Sequence, residues 1–520
     1  MDKKASFKAY NQHQLSLLPI NLDTLIPENH MVRVVDRAIE SMNTQPLFER
    51  YPGGGTSAYN PVMMLKVIVY AYADKIYSSR KIAKATRENI NFMWLTGNVQ
   101  LDFMTINRFR GERLKGIIDE IFTEVVDLLL REEYIKFENY FLDGTKIEAN
   151  ASKYSWVWGK NTARYKENLK KKVLEHLTAI NIIEQEENSE YGNADLPELG
   201  VGKPINSDSI REAVEKIDER LCETPKDKDL KKAKRMIEKD YLPRMEKYEQ
   251  QEEILEQRRS YSKTDTGATF MRMKEDHMKN GQLKPGYNIQ MGTENQFVTG
   301  FSIHQRPGDT SCMKPHLEHL KELHGKLPKN IVTDAGYGSE ENYEFLEEEK
   351  VEHYVKYNTF HKEKSKKWQK DVTRVQNWYY VSERDEYICG FGRYLGFLYE
   401  TKKKSDNGYE SLIRVYECEE CVDCPLRDKC VKGSKPDTNR RIYINRRLNE
   451  LKEIAKTNLD SEKGLEMRSK RPVEVESAFG DIKGNFGVRR FLLRGLEKVK
   501  IEWGLYSIGH NMRKMAVARG

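Results

Sequence analysis

The 520-residue sequence lacks a long apolar run, because no segment approaches the roughly 20 apolar residues that span a bilayer. It also lacks the pattern of a secretory signal, since no apolar stretch follows the lysines of the leader MDKKASFKAYNQHQ. A large excess of one charge is missing as well: 88 Lys and Arg oppose 81 Asp and Glu, for a formal net charge of +7. These absences argue against a membrane-spanning class and predict a soluble cytoplasmic protein. The total charge alone does not indicate a polyanionic partner.

Cysteine is scarce, and the odd number of seven in so long a chain favours a reducing compartment over a disulfide framework. Cys418, Cys421, Cys424 and Cys430 have the spacing C-x2-C-x2-C-P-x4-C, which suits a tetrahedral structural Zn²⁺. An iron–sulfur cluster and unmetallated thiols are the alternatives, because the spacing is not that of a common zinc finger. Cys389 stands alone in YICGFG and could replace one ligand.

Hydrophobic periodicity changes along the chain. Residues 30–133 carry repeated amphipathic patterns and predict an all-α region of about four helices. Residues 136–151 are rich in aromatic and β-branched side chains, which predicts a strand ending in a turn at Asp143-Gly144. Residues 155–260 are dominated by Lys and Glu, with Leu and Ile at helical spacing. They predict a solvated helical hairpin or coiled-coil-like insertion, with a polar loop at 190–208.

Strand signals return at 287–305, which predicts a hairpin turning near Glu294-Asn295. Residues 329–357 predict strand, loop, helix and strand, whereas 446–520 predict helix throughout. The fold class is therefore α/β (α+β), a mixed-sheet core interrupted by insertions. The expected units are an all-α N-terminal domain (1–133), the first part of the core (134–154), a helical insertion (155–260), the continued core (261–359), an insertion with the cysteine cluster (360–445) and the C-terminal helices of the core (446–520).

Two acidic residues follow apolar strands, where open α/β sheets place their sites. Asp143 ends NYFLD and Asp334 ends IVTD, and small turn-forming residues follow each. A carboxylate there can bind a hard divalent cation and leave room for water and phosphate oxygens. For each aspartate taken alone, a turn-forming or capping role is the competing interpretation. Asp265 and Asp309 are further acids, for which we expect at most a supporting role.

A third acid comes from the C-terminal region, where Pro472 suits the first turn of a helix that runs through Glu476. Lys483 lies seven residues after Glu476, which is two helical turns on one face. Glu474 is the competing acid and lies on a different face of the same helix. The pattern predicts that Glu476 and Lys483 point into the same space.

Positive charge is concentrated in residues 481–515. Eight Lys and Arg oppose three acids there, a local net charge of +5. Their interleaving with Phe486, Phe491 and Trp503 suits phosphate neutralisation and packing against bases or sugars, and an ordinary solvated helix face is the alternative. The basic residues are Lys483, Arg489, Arg490, Arg494, Lys498, Lys500, Arg513 and Lys514.

These residues together resemble bacterial insertion-sequence transposases of the DDE class. The sequence is similar in particular to insertion-sequence family 1182, with an InsH-like N-terminal domain. The resemblance runs nearly end to end, and its order and number of motifs make it specific. The motifs are YNQHQLSLLPINLDTLIPENH (10–30), SSRKIAKATRENINFMWLTG with TINRFR (78–110), FLDGTKIEANASKY (141–154), SKTDTGATFMRMKE with KPGYNIQ (262–290), VTDAGYGSEENY (332–343) and EVESAFGDIKGNFGVRRFLLRGLEKVKIEWGL (474–505).

The resemblance implies a ribonuclease H-like core in which Asp143, Asp334 and Glu476 are catalytic and bind two Mg²⁺ (or Mn²⁺) ions. It implies cleavage at the ends of the element, followed by strand transfer into target DNA. Related transposases place an Arg upstream of the glutamate, and Arg471 could serve, although its spacing is one residue longer. A nuclease that cuts without joining and a non-catalytic DNA-binding protein derived from a transposase are the alternatives.

The resemblance also implies a double-stranded DNA partner, a homodimeric synaptic complex and a nucleoid-associated location in the bacterial cytoplasm. The DNA-binding residues would be Lys483, near the scissile phosphate, and Arg489, Arg490, Arg494 and Lys498. Helices within 60–115 would form a helix-turn-helix-like reader of the inverted repeats, and a small bundle with a charged surface is the alternative. The N-terminal residues expected to face phosphates are Arg80, Lys81, Lys84, Arg87, Arg108 and Arg110.

Overall fold

The computed structural model describes residues 21–51, 57–191, 205–273, 281–431 and 438–519, except for the side chains of 181–191. The leader and most of the polar loop of the insertion lie outside these residues. Among the helices described, none is long and apolar enough to cross a membrane.

The N-terminal region is helical, as its periodicity predicted. Helix α4 shows the local cause: the Asn60 side chain accepts hydrogen bonds from the N–H groups of Val62 and Met63, and Pro61 occupies the first turn. The helices are α1 (Leu22–Leu25), α2 (Met31–Glu40), α3 (Gln45–Glu49), α4 (Pro61–Ala73), α5 (Ser79–Glu88), α6 (Ile90–Leu95), α7 (Phe103–Arg108), a π-helical turn (Phe109–Arg113) and α8 (Ile118–Arg131).

The strands form a central mixed sheet, a small two-stranded ribbon and a separate antiparallel sheet. In chain order they are β1 (Asn139–Glu148), β2 (Trp156–Trp158), β3 (Ser260–Ser262), β4 (Thr269–Arg272), β5 (Leu283–Glu294), β6 (Phe297–His304), β7 (Asn330–Thr333), β8 (Glu352–Val355), β9 (Tyr379–Val381), β10 (Glu386–Ile388), β11 (Tyr394–Lys404), β12 (Glu410–Cys418) and β13 (Arg441–Ile444).

The central sheet has the order β4-β5-β1-β7-β8, and β6 also pairs with β5. Strand β1 is antiparallel to β5 and parallel to β7, which in turn is parallel to β8. The predicted hairpin is confirmed, because β5 and β6 are joined by Asn295 and Gln296, both with positive φ. The predicted order of strand, loop, helix and strand over 329–357 is also confirmed.

The remaining helices belong to the insertion, to the second face of the sheet and to the C-terminal region. They are α9 (Gly159–Tyr191), α10 (Ser207–Glu223), α11 (Lys228–Met236), α12 (Leu242–Leu255), α13 (Met313–His324), α14 (Glu340–Glu348), α15 (Phe360–Glu363), α16 (Lys366–Gln369), α17 (Arg427–Cys430), α18 (Arg446–Asp460), α19 (Glu462–Arg471), α20 (Ser477–Gly480) and α21 (Leu496–Arg519).

Each face of the central sheet covers its own hydrophobic core. One core is shared by the N-terminal helices, the sheet and α21, so residues from Ile26 to Met515 pack into a single cluster. The second core lies between the sheet and helices α13, α14 and α18. The helical region that was predicted as a separate domain therefore shares its interior with the core.

The Lys- and Glu-rich insertion is more compact than a solvated hairpin. Its helices α9 to α12 enclose their own core, which includes Leu169, Ile210 and Tyr241. The two-stranded ribbon of β2 and β3 lies at the base of this insertion, and β3 contacts strand β4 of the central sheet. The apolar residues at helical spacing thus face each other within a small bundle, and the charged residues form its surface.

Three local predictions were wrong. Strand β1 does not end at Asp143-Gly144 but continues to Glu148, because β5 provides ladder partners along its whole second half. The C-terminal region is not helical throughout, since 486–495 runs beside the end of β1, where the Phe491 N–H donates to the Glu148 carbonyl at 2.9 Å. Pro472 does not start a helix; it lies in a π-helical turn that directly continues α19.

The entry of the chain into β1 is fixed by a buried carboxylate. The two oxygens of Glu294 accept hydrogen bonds from the backbone N–H groups of Lys136, Phe137, Glu138 and Asn139. Phe137 has a φ of 57°, so this turn needs support from outside its own backbone. The contact joins the end of β5 to the start of β1.

We expect Glu294→Gln to lower the free energy of unfolding by about 3 kcal/mol, because the amide replaces one acceptor oxygen by a donor and leaves buried N–H groups unsatisfied. Urea denaturation measures the change. Glu348→Gln, at an exposed position of α14, is the control and should have no measurable effect. Equal stability of the two variants would contradict the role given to Glu294.

Candidate active site

Strand register brings Asp143 and Asp334 to the same level of the sheet. Strand β1 pairs in parallel with β7 as far as Phe141 and Val332, and each aspartate follows two residues later. Strand β7 ends at Thr333, so Asp334 begins the loop beside β1 while Asp143 remains held in the ladder by β5. The two carboxylates therefore face the same gap at the edge of the parallel pair.

The helical segment after α19 supplies the third carboxylate. Glu476 ends a π-helical turn (Pro472–Glu476), and its side chain is 61% exposed. Glu474 is buried, and its Oε2 accepts a hydrogen bond from the Gln296 N–H at 2.6 Å. Burial raises the pKa of the Glu474 carboxyl. Of the two acids that competed in the sequence, Glu476 faces the gap and Glu474 holds the helix against the β5–β6 turn.

One guanidinium joins the three acids. Arg471 Nη2 lies 3.2 Å from Asp143 Oδ2 and 3.8 Å from Asp334 Oδ2, and its Nη1 lies 3.9 Å from Glu476 Oε1. The Arg471 and Asp143 side chains are only 11% and 12% exposed, so their contact is weakly screened by solvent, whereas Asp334 and Glu476 are more exposed. A single cation thus compensates carboxylates from a strand, a loop and a helix.

An open cleft of about 440 Å³ begins at two of these acids. Asp143 and Glu476 form its acidic side, and Lys483 and Arg489 line the same space. The predicted placement of Glu476 and Lys483 on one side of their helix is confirmed, although π-helical turns (Pro472–Glu476 and Asp481–Asn485) change the spacing. Gly144, Gly480 and Gly484 also line the cleft, so its floor presents backbone at three points.

The chemistry of the donor set fits a divalent metal ion. Three carboxylates supply the hard oxygen ligands that Mg²⁺ prefers, and they already surround a positive charge. Within the described residues, no three His, Cys, Asp or Glu side chains are yet arranged to hold an ion. Here the Arg471 guanidinium lies between the acids, so ion binding would require it to withdraw.

A polar layer supports β1 from behind. Asp309 Oδ1 accepts hydrogen bonds from Asn288 Nδ2 at 2.8 Å and from Gln290 Nε2 at 3.1 Å, and Tyr337 donates to Gln290 Oε1. Gly144 packs against this layer, because a β-carbon at Gly144 would lie 2.5 Å from Asp309 Oδ1. The layer lies on the face of the sheet opposite Asp143, and its contact with Gly144 fixes the position of β1.

Sequence reasoning missed one cation of the site. Lys356 directly follows β8, and it is half-buried near Asp334 and Arg471. Burial lowers the pKa of Lys356, the nearby Arg471 and Arg468 lower it further, and Asp334 opposes them. A lysine after the third parallel strand carries no motif, and only the parallel order of β1, β7 and β8 places it here.

The predicted DNA-binding residues do not all meet in the cleft. Arg494 and Lys498 line a second groove of about 220 Å³, together with Asn107 and Gly111 of the N-terminal region and with Asn150. Arg490 holds the chain after β1, donating to the carbonyls of Ala149 and Ala151.

Two further expectations about charge and aromatics were wrong. Phe486, Phe491 and Trp503 are buried in the core and cannot pack against bases. Arg110 is also buried, where it donates to the carbonyl of Tyr77 and to the Tyr72 hydroxyl. The other N-terminal residues of that set, Arg80, Lys81, Lys84, Arg87 and Arg108, are exposed.

Asp265 lies away from the acids and has a structural contact. Its Oδ1 accepts hydrogen bonds from the Tyr287 hydroxyl at 2.9 Å and from the Gly495 N–H at 3.1 Å. It therefore ties the sheet to the segment before α21.

The cysteine cluster forms a second centre in the sheet β9–β13. Cys418, Cys421, Cys424 and Cys430 line one small cavity, and Cys389 joins them from the end of β10.

We expect Gly144→Ala to lower the free energy of unfolding by about 2 kcal/mol, since the methyl group must displace the hydrogen-bonded Asp309 and Gln290. Gly480→Ala is the matched control, because a β-carbon at that helical position meets open space. The control should be neutral or more stable. Chemical denaturation of both variants tests the packing, and an unchanged Gly144→Ala protein would refute it.

We expect Arg471→Gln to lower the free energy of unfolding by about 3 kcal/mol, because the buried pair with Asp143 loses its cation. MgCl₂ should then raise the melting temperature of the variant more than that of the wild type, since no guanidinium competes with the ion for the three carboxylates. Thermal scans with MgCl₂ and with NaCl of equal ionic strength measure this difference.

Lys470→Gln, an exposed neighbour paired with Glu466, is the control for that experiment. An identical response of Arg471→Gln and Lys470→Gln to MgCl₂ would contradict the proposed competition between arginine and metal.

Comparison with known families gives two matches. Residues 388–516 match the family described as transposase DDE domain, and residues 20–112 match the family described as transposase domain (DUF772). The first match contains Glu476 and Lys483, whereas Asp143 and Asp334 lie outside both. Neither the curated proteins nor the solved structures gave a match. The two family matches, on either side of the central sheet in the sequence, support a DDE-type transposase, an enzyme class that cuts and transfers polynucleotides and whose substrate is DNA.

Proposed function

We propose that this protein is a metal-dependent DNA transposase that cleaves the ends of an insertion sequence and transfers them into target DNA. The observation that carries the proposal is the convergence of Asp143, Asp334 and Glu476 on Arg471 at the mouth of a cleft that Lys483 and Arg489 also line. Phosphodiester chemistry needs carboxylates that bind metal ions next to positively charged side chains that neutralise phosphates.

In this proposal Asp143, Asp334 and Glu476 hold the metal ions of a ribonuclease H-like core. When bound, two Mg²⁺ or Mn²⁺ ions would supply Lewis-acid stabilisation of the attacking and leaving oxygens. The placement of the acids on a strand, at the end of a parallel strand and on a helix supports that core. The resemblance of the sequence to insertion-sequence family 1182 supports the same conclusion.

The chain's own cations bind and orient the DNA. Lys483 and Arg489 lie where a phosphate next to the scissile bond would enter the cleft, and they neutralise its charge. Arg494 and Lys498 extend the positive surface toward the N-terminal region, whose exposed face carries Arg80, Lys81, Lys84, Arg87 and Arg108. We propose that a duplex end lies along this path and that a homodimer holds two such ends.

Arg471 holds the acids when no metal ion is bound. Its guanidinium lies within 4 Å of all three carboxylates and would have to withdraw for an ion to bind. The segment that carries Arg471 also carries Glu476, so both side chains reach the site from one stretch of helix. Strand transfer and cleavage then differ only in the nucleophile, a 3′-hydroxyl or water, at one site.

We expect Asp143→Asn and Glu476→Gln each to reduce cleavage of the DNA flanking the gene by at least about a thousandfold, which corresponds to about 4 kcal/mol. DNA binding should persist, because the basic residues remain. Glu462→Gln, at an exposed position of α19, is the control and should keep cleavage within a few-fold of the wild type. Gel assays with MgCl₂ and mapped cut positions measure both properties.

Three outcomes would contradict this function or favour a different one. Full-rate cleavage by Asp143→Asn would sink the assignment of the site. Cuts by the wild type without joined products would favour a nuclease that does not transfer strands. Specific binding by the wild type without any cuts would favour a DNA-binding protein derived from a transposase.

A further inference from the structure

The small sheet β9–β13 contains a cluster of thiols that the transposition chemistry does not use. Cys389 follows β10, Cys418 ends β12, and Cys421, Cys424 and Cys430 lie in the loop and short helix that follow. All five line the same cavity. The sequence pattern showed four of them as one cluster with Cys389 as a possible replacement ligand, and the fold places Cys389 beside them from a different hairpin.

The cavity has the size of a single ion. Its volume is about 20 Å³, and a site needs roughly 10–15 Å³ to hold one water molecule. It is enclosed by the thiols and by Trp378, Leu395 and Leu426. A space this small and this rich in sulfur suits a soft cation far better than an organic ligand.

Three arginines surround the cysteines. Arg393, Arg427 and Arg440 line the same cavity, so their positive charge would offset the negative charge that thiolate ligands bring to a metal ion. With no ion bound, burial raises the pKa of the Cys418 and Cys430 thiols. The backbone N–H of Arg440 donates to Cys421 Sγ at 3.3 Å. Hydrogen bonds of this kind orient metal-bound sulfur and are common around ligand atoms.

The small sheet also needs a cross-link. Its buried core consists of Trp378, Leu395, Tyr416, Ile442 and Ile444 with Cys418 and Cys421, and Cys389 and Cys430 pack against it. A core of this size rarely stabilises a unit alone, and natural small units add a metal or disulfides. A metal held by thiols would join the β9–β11 hairpins to the loop after β12.

We propose that this cavity binds one structural Zn²⁺ through Cys389 and three of the four cysteines of 418–430. Four thiolates complete a tetrahedral shell and leave no open position, so the ion stabilises the sheet and does not take part in catalysis. The thiols do not yet point at one centre, and binding would turn them inward. The inference is independent of the DNA chemistry proposed for the carboxylates.

The test begins with the metal content of the full chain purified without chelators. We expect one zinc per chain, a zinc content at least tenfold lower in Cys389→Ser and an unchanged content in Cys222→Ser, which alters an exposed cysteine of the insertion. After removal of zinc, Co²⁺ should give the absorption of a tetrahedral thiolate site. Iron in place of zinc, or a wild type that binds neither zinc nor Co²⁺, would overturn the proposal.

A second measurement keeps the proposal testable if Cys389→Ser fails to fold. The wild type is treated with an alkylating reagent with zinc bound and again after chelation, and the modified peptides are identified by mass spectrometry. We expect Cys389 to react only after chelation, whereas Cys222 reacts in both states. Equal reactivity of Cys389 in the two states would show that it is not a ligand and would refute the site.

Discussion

Mutual repulsion of carboxylates is the constraint on which the architecture of this protein depends. Asp143, Asp334 and Glu476 each lie within 4 Å of the Arg471 guanidinium, and carboxylates gathered around one point repel one another unless a cation lies between them. Arg471 supplies that cation from within the chain. The position of the last helical segment is thus tied to the sheet by charge as well as by apolar packing.

The rest of the fold serves to hold the acids at one level. Glu294 fixes the start of β1, β5 carries the strand past the end of β7, and the layer of Asn288, Gln290 and Asp309 supports it from behind. On the other face, Glu474 anchors the π-helical turn that presents Glu476. Polar contacts at buried positions act here as a frame, since each would be costly to break.

Much of the fold and of the candidate site could be predicted from the sequence, and some of it could not. The apolar run before Asp334, the hairpin at Asn295 and the shared direction of Glu476 and Lys483 follow from local periodicity. The continuation of β1 past Gly144 depends on a partner strand more than a hundred residues away, and turn-forming residues misled the prediction. Phe486, Phe491 and Trp503 have the composition of a nucleic-acid surface but fill a core that only tertiary packing reveals. The convergence of Cys389 with the later cysteines has the same non-local origin.

The hydrophobic core shared by the N-terminal helices and α21 limits how this protein can diversify. Tyr72, Tyr77 and Tyr506 pack against one another, and Arg110 lies among them near the buried Glu502, so the two ends of the chain form one interior. An N-terminal region inherited from another lineage would bring the wrong complementary surface, and the hybrid would expose its core. Substitutions that this interior tolerates are therefore those on the outer faces of helices such as α5, where Arg80, Lys81, Lys84 and Arg87 are exposed. The N-terminal region can change gradually at its surface, but it cannot be exchanged as a module.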